Sequence, residues 1–400
     1  MSIVSNDDYQ LGIAPSKIRE IFEFGLKRKK EVGEDNVFDF SIGNPTISAP
    51  KELNETLIKL IQTENDVTIH GYSSTRGDNE LKAKIIKNVN ETYGTNFLEK
   101  HIFITCGAAP ALTATTKALV SDPSNEIIIL CPFFPEYKVF TKASKCKLVV
   151  VPADIPDFQI NFSELEKVIN ANTKAIIINS PNNPCGSIYT EETLKKLSEL
   201  LKKKEQEFNT HIYIISDEPY REILFDNYKY PAPCKFYDNL VICYSFSKSM
   251  SIPGERVGYT LVNPNAYEAD KIIDAIAGAA RMMGHVCAPT LMQRALCSVI
   301  GKYSDMKEYE KNRDTLYNGL KELGYETNFP HGSFYMFLKC LEDNSENFCM
   351  KARDFDILIV PADGFGVPGY CRIAFCVKNE MIVKSLEAFK KLKELYDSKK

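Results

Sequence analysis

The sequence predicts an α/β protein: a large domain with a mostly parallel seven-stranded sheet sandwiched by helices, plus a smaller α+β domain. Three observations lead there. Seven short β-branched runs recur between amphipathic stretches. These runs are continuously apolar rather than alternating, as suits strands buried on both faces of a parallel sheet. The pattern then changes after about Asn263, where long helical stretches and a mixed region follow.

The expected strands are "IFIT" (Ile102–Thr105), "IIIL" (Ile127–Leu130), "LVVV" (Leu148–Val151), "AIIIN" (Ala175–Asn179), "IYIIS" (Ile212–Ser216), "VICYS" (Val241–Ser245) and "GYTLV" (Gly258–Val262). Glu191–Phe208 carries Leu194, Leu197, Leu200 and Leu201 at helical spacing, with Thr190 as its N-cap and "KKK" (Lys202–Lys204) on a solvated face. Strand–helix alternation of this kind means layers. Helices are expected over Ala266–Met283 and Pro289–Leu323. "SFYMFLK", "ILIVPADGFG" and "CRIAF" follow, then a terminal helix, Glu380–Tyr396. The expected division is a large domain over 47–285 and a small domain from 1–46 and 286–400.

At 400 residues, 44% hydrophobic and 26% charged, the chain has the balance of an ordinary globular protein. A net charge of -4 offers no electrostatic footprint for nucleic acid or an anionic membrane. No basic-then-apolar leader opens the sequence, and the most apolar stretch, "EIIILCPFFP", is too short to span a bilayer. The twelve cysteines form no C-x-x-C pair and have no histidine at ligand spacing. They read as free, mostly buried thiols in a reducing cytoplasm, with no metal. His70, His101, His211, His285 and His331 read as structural or surface residues.

The candidate chemistry lies at strand ends. In "YSFSKSMSIPGERVGY", Lys248 leaves a buried strand among Ser245, Ser247 and Ser249. Ligands of open α/β sheets bind at that end. A lysine desolvated there has a pKa suited to imine chemistry. Arg256 and the serines suit a phosphate. Asp217, in "SDEPYREILF", either pairs with a buried cation or caps a local turn. "NSPNNPCG" is a tight loop whose asparagines can donate to a ligand oxygen. "TCGAAPALTATTKAL" runs from a strand into a helix, with the N–H groups of Ala108 and Ala109 at its start, an anion site. Phe134, in "CPFFPEY", either stacks on a flat ligand or packs in the core. Arg372, in "CRIAF", needs an anion, as a structural pair or as a clamp on a substrate carboxylate.

In this order, from "SIGNPT" to "CRIAF", the motifs resemble the class I/II aminotransferases, the aspartate aminotransferase superfamily of fold-type-I enzymes dependent on pyridoxal 5′-phosphate (PLP). The resemblance implies transfer of an amino group from an L-amino acid to a 2-oxo acid. Lys248 would hold PLP as a Schiff base and shuttle the proton. Asp217 would pair with the ring nitrogen, Asn183 and Tyr220 with the ring oxygen, and Phe134 would stack on the ring. Ala108, Ala109, Ser245, Ser247 and Arg256 would bind the phosphate, with Tyr72 of "HGYSSTRGDNELK" reaching it from the neighbouring subunit of a homodimer. Arg372 would clamp the substrate α-carboxylate, assisted by Asn183 and the backbone around Gly43.

Two departures bear on the substrate. The chain has no tryptophan where aspartate-specific relatives often stack one, and it has alanine at 109 where one bacterial subgroup has a lysine that reads a distal carboxylate. Both weaken the aspartate reading and leave neutral amino acids, such as alanine, or aromatic ones open. The alternative enzyme is a PLP lyase of the same fold, such as a C–S β-lyase. A PLP-binding regulator needs a helix-turn-helix ahead of "SIGNPT", where the stretch is too short. A nicotinamide dehydrogenase needs a glycine fingerprint after an early strand, and none is present.

Overall fold

The structure is a computed structural model that describes residues 3–13 and 16–398, so the outermost positions of the expected small domain, at 1–2 and 399–400, lie outside it. The described residues form twelve strands: β1 (Phe38–Asp39), β2 (Ile102–Thr105), β3 (Glu126–Leu130), β4 (Lys147–Val151), β5 (Thr173–Asn179), β6 (Tyr213–Asp217), β7 (Leu240–Ser245), β8 (Gly258–Val262), β9 (Tyr335–Lys339), β10 (Ile357–Leu358), β11 (Val360–Pro361) and β12 (Tyr370–Ala374). They divide between two compact units.

The large unit comprises Pro45–Met306 and His331–Ser333. Its sheet has seven strands in the order β2-β8-β7-β6-β5-β3-β4. All neighbours are parallel except β8, which runs antiparallel to both β2 and β7. Every residue of β2, β6, β7 and β8 is buried, which explains their lack of alternation. Edge strand β4 is mostly half-exposed and begins at exposed Lys147. Each expected strand is present, and the fold class is the one expected.

Helices cover the sheet. Glu191–Phe208 is capped by Thr190, whose side chain accepts from the Thr193 N–H at 3.1 Å, and it ends at Asn209 in the left-handed conformation. The run Lys202–Lys204 is not all solvated. Lys204 is 8% exposed, with its Nζ 5.4 Å from the Phe208 ring centroid and 2.9 Å from Glu207. A long aliphatic stem allows burial without losing the charge. The helix expected over Pro289–Leu323 is two helices, Thr290–Cys297 and Lys307–Glu322. The break passes Gly301, which takes a φ of +84° that a continuing helix cannot accommodate.

Gly258, at the start of β8, has no room for a side chain. An added Cβ would lie 2.2 Å from the Tyr244 carbonyl oxygen and 2.9 Å from the Gly107 Cα. Both obstacles are main chain and cannot rotate away. Gly258→Ala is expected to destabilise the protein by at least about 1–3 kcal/mol, measurable as a lowered denaturant midpoint at unchanged slope.

The small unit comprises Met1–Asn44, Lys307–Pro330 and Phe334–Lys400. It holds an antiparallel sheet in the order β11-β12-β9 and a parallel pair, β1 with β10. The terminal helix Asn379–Asp397 buries Ile382, Ala388, Phe389 and Leu392, the inward stripe of an amphipathic helix. Among the described residues no helix is long and apolar enough to cross a membrane, and no cluster of His, Cys, Asp or Glu is placed to hold a metal ion.

Candidate active site

In the large unit, strand register brings the functional segments to one edge of the sheet. Asn179 of β5 lies beside Asp217 of β6, and Asp217 lies beside Cys243 of β7. Ser245 of β7 and Thr105 of β2 both lie opposite Gly258 of β8. The carboxyl ends of β2, β5, β6 and β7 are thus level, and the start of β8 joins them. Each expected segment of the large unit begins where one of these strands or β3 stops, except Tyr72, which follows the helix Asp66–His70 and is 96% exposed.

The acid at the centre is tightly held. Asp217 is 5% exposed. Its main-chain oxygen accepts from Asn179 Nδ2 at 2.8 Å, and its Oδ2 accepts from the Tyr137 hydroxyl at 2.5 Å. Its other oxygen, Oδ1, is buried with no hydrogen-bond partner. Burial pushes the carboxyl up from its ordinary 3.8 to about 7; Tyr137 lowers it, and the neighbouring Glu218 carboxylate adds to the rise. A buried carboxylate with one oxygen unsatisfied is a receptor for a cationic donor.

Asn179 also accepts, through Oδ1, from the Asn183 N–H at 2.7 Å. One side chain thereby ties the loop "NSPNNPCG" to the β6 end that carries Asp217. Asn182 steadies the same loop by donating to the Pro132 and Asn179 carbonyls at 3.1 and 3.2 Å. Asn183 and Tyr220 are each about 5% exposed. Phe134 is half-buried and meets the Tyr137 ring edge-on, with centroids 5.9 Å apart.

Lys248 lies on the short helix Phe246–Ser249 that leaves β7 directly. Ser245 caps it, its Oγ lying 2.7 Å from Ser247 Oγ. The adjoining helix Ala108–Leu119 starts after Gly107, whose φ is +93°. A Cβ on Gly107 would lie 2.8 Å from Arg256 Nη2, so only glycine lets the guanidinium lie against this turn. A helix N-terminus beside an arginine and two hydroxyls is a cradle for a phosphate dianion.

In the small unit, Arg372 sits on central strand β12, paired with Phe337 on one side and Val360 on the other. It is 1% exposed. Its guanidinium donates to the Ser41 carbonyl and lies 4.7 Å from the Tyr335 ring and 5.1 Å from the Phe365 ring. Asp39 holds the following turn by accepting from the Ser41 N–H and hydroxyl at 3.1 and 2.6 Å. Gly43 packs against the Tyr335 hydroxyl, where a Cβ would not fit.

Sequence reasoning missed Asn179 and Tyr137. Asn179 ends a run already read as a strand, where a polar residue after four apolar ones signals a strand terminus facing a ligand. Tyr137 stands three residues after Phe134, the spacing that puts two side chains on one side of a helical turn.

Known proteins resemble this chain along nearly its whole length. Residues 35–389 match the family described as aminotransferase class I and II. A probable aspartate aminotransferase of Methanocaldococcus jannaschii is 31% identical over 96% of this chain and 98% of its own length. A (5-formylfuran-3-yl)methyl phosphate transaminase of the same organism is 30% identical over 91% of this chain and 94% of its own. The crystal structure of an aminotransferase from Eubacterium rectale superposes with a TM-score of 0.97 at 50% identity, covering 99% of this chain and all of that one. Each of these relatives is named for amino-group transfer, which disfavours the lyase alternative. By family match and fold together, the chain belongs to the class I and II aminotransferases, PLP-dependent enzymes that move an amino group between an amino acid and a 2-oxo acid.

Proposed function

We propose that the large-unit edge built on Asp217 and Lys248 is the cofactor site, and that an α-amino acid is deaminated there. The buried Asp217 Oδ1, without a partner, carries this reading: a ring N–H⁺ supplies the donor and charge that this oxygen lacks. The Gly107–Arg256 turn supports it at the phosphate end. Bound PLP supplies an electron sink for the carbanion left when the Cα proton departs.

The chain's own residues do the rest. Lys248 Nζ would hold the cofactor and, as a neutral amine, would be the base for the Cα proton. Asp217 keeps the ring nitrogen protonated. Asn183 and Tyr220 would hold the ring oxygen, and Phe134 would stack on the ring. Ala108, Ala109, Ser245, Ser247 and Arg256 fix the phosphate. Tyr72, 96% exposed, is free to reach the phosphate of a neighbouring subunit in a homodimer. All twelve cysteines are free thiols, which supports a reducing, cytoplasmic setting.

Arg372 binds the substrate α-carboxylate together with the main chain around Gly43, and so fixes the orientation of the Cα–H bond. Arg372→Leu is expected to lower kcat/KM for α-amino acids roughly 100- to 1,000-fold, the effect of removing one member of a buried charge pair. Amines lacking a carboxylate should lose far less. An equal loss on both classes contradicts the clamp.

The donor is proposed to be a neutral or aromatic amino acid, because position 109 is alanine and position 134 phenylalanine. Relatives named as aspartate aminotransferases stand for the dicarboxylic alternative. Incubating the holoenzyme with single amino acids and no acceptor tests both. Stoichiometric 2-oxo acid from alanine or phenylalanine, and little from aspartate, supports the reading. Release from aspartate alone overturns the donor class, and catalytic release of ammonia from every donor overturns transamination at this site.

A further inference from the structure

Asp217 has two carboxylate oxygens with different surroundings. Oδ2 accepts from Tyr137 at 2.5 Å, while Oδ1 is buried with no hydrogen-bond partner among the described residues. Tyr137 is 1% exposed and starts the helix Tyr137–Ala143. Its main-chain oxygen accepts from Thr141 Oγ1 at 2.8 Å, and its ring meets Phe134 edge-on. Burial raises its hydroxyl well above the ordinary value, so it stays a proton donor throughout the working range.

We infer that Tyr137 is the positioning residue that holds Asp217 ionised and turned with Oδ1 toward the cofactor ring. This rests on the proposed cofactor site and adds a residue to it. A phenol that donates to Oδ2 lowers the affinity of the carboxylate for a proton on either oxygen, and Oδ1 is the oxygen left without a partner among the described residues. That is the oxygen that must accept from the ring nitrogen. Donation from Tyr137 stabilises the carboxylate against such protonation, and the proton between Oδ1 and the ring is held on the nitrogen. Three other groups bear on this carboxyl, one of them the Cys243 thiol beside it on β7, which the Asp217 charge helps to keep protonated. Glu218 follows it and raises its proton affinity, while Asn179 grips only its main chain. Tyr137 alone opposes the burial that drives Asp217 toward the neutral acid. The contact with Phe134 makes the same side chain a brace for the residue proposed to stack on the ring.

Without the hydroxyl, the proton moves toward the carboxyl by about 10- to 100-fold, the range of one charge-assisted hydrogen bond. The ring becomes neutral and a weaker electron sink. The test compares holoenzymes carrying tyrosine, phenylalanine or a monofluorinated tyrosine at 137, the last a more acidic phenol of nearly the same shape. The readout is the pH midpoint of the visible absorption band of lysine-bound PLP, which rises as the ring loses its positive charge. Tyr137→Phe is expected to raise this midpoint and to lower kcat about 10-fold or more, with KM for the amino acid little changed. Fluorotyrosine is expected to lower the midpoint. Shifts of opposite sign support the inference, since a purely structural perturbation would not change direction with phenol acidity. If Tyr137→Phe does not fold, the fluorotyrosine shift decides alone. An unmoved midpoint in the fluorotyrosine protein, or a shift of the same sign in both variants, overturns it. The unmodified holoenzyme's own band reports on the proposed site, and the difference between variants reports on Tyr137.

Discussion

Lys248→Ala is expected to abolish transamination, with kcat reduced at least about 1,000-fold, while the protein stays folded. Two losses combine: the amine that tethers the cofactor and the base that takes the Cα proton. Neither is replaced nearby, because Ser245, Ser247 and Ser249 carry hydroxyls too weakly basic for the task. The fold should tolerate the change. Lys248 is only partly buried, and the helix that carries it is capped by Ser245 and tied by Ser249, which lies 2.8 Å from the Tyr244 hydroxyl. An unchanged melting curve with turnover lost is the expected pair of results. Retained turnover contradicts the assignment.

Asp217→Asn is expected to move activity and stability in opposite directions. Activity should fall roughly 100-fold or more, because a neutral amide cannot hold a charged ring nitrogen. Stability without cofactor should rise. Folding raises the Asp217 pKa from 3.8 to about 7, so between those values the native state binds more protons than the unfolded state. Stability from this group is full below about pH 4 and is lost as pH rises toward 7. At pH 8 the buried charge costs about 4 kcal/mol, which asparagine removes while still accepting from Tyr137. The cofactor-free variant should therefore melt higher than the parent at pH 8 and together with it at pH 4. A lower melting temperature at pH 8 would show that the charge is already compensated within the protein. A strained, ion-hungry site that destabilises its own empty form is a common trade of stability for function.

The order of strand ends was legible because each buried strand is an unbroken apolar run that stops at a polar residue. Lys248, Asp217 and Asn183 all lie within four residues of such stops. Side-chain partners across the sheet were less legible. Tyr137 and Asp217 are separated by 80 residues, and only strand order makes them neighbours. The break near Gly301 was hidden because apolar residues continue on both sides of it, at Val299 and Ile300. The solvated reading of Lys204 failed because charge alone does not say where an aliphatic stem lies.

The most direct test of the central claim is to load the protein with PLP, reduce it with borohydride and map the modified peptide by mass spectrometry. The account predicts one reduced PLP per chain, carried on Lys248 alone. Labelling of a different lysine, or none at an occupancy that the visible band shows to be full, would contradict it.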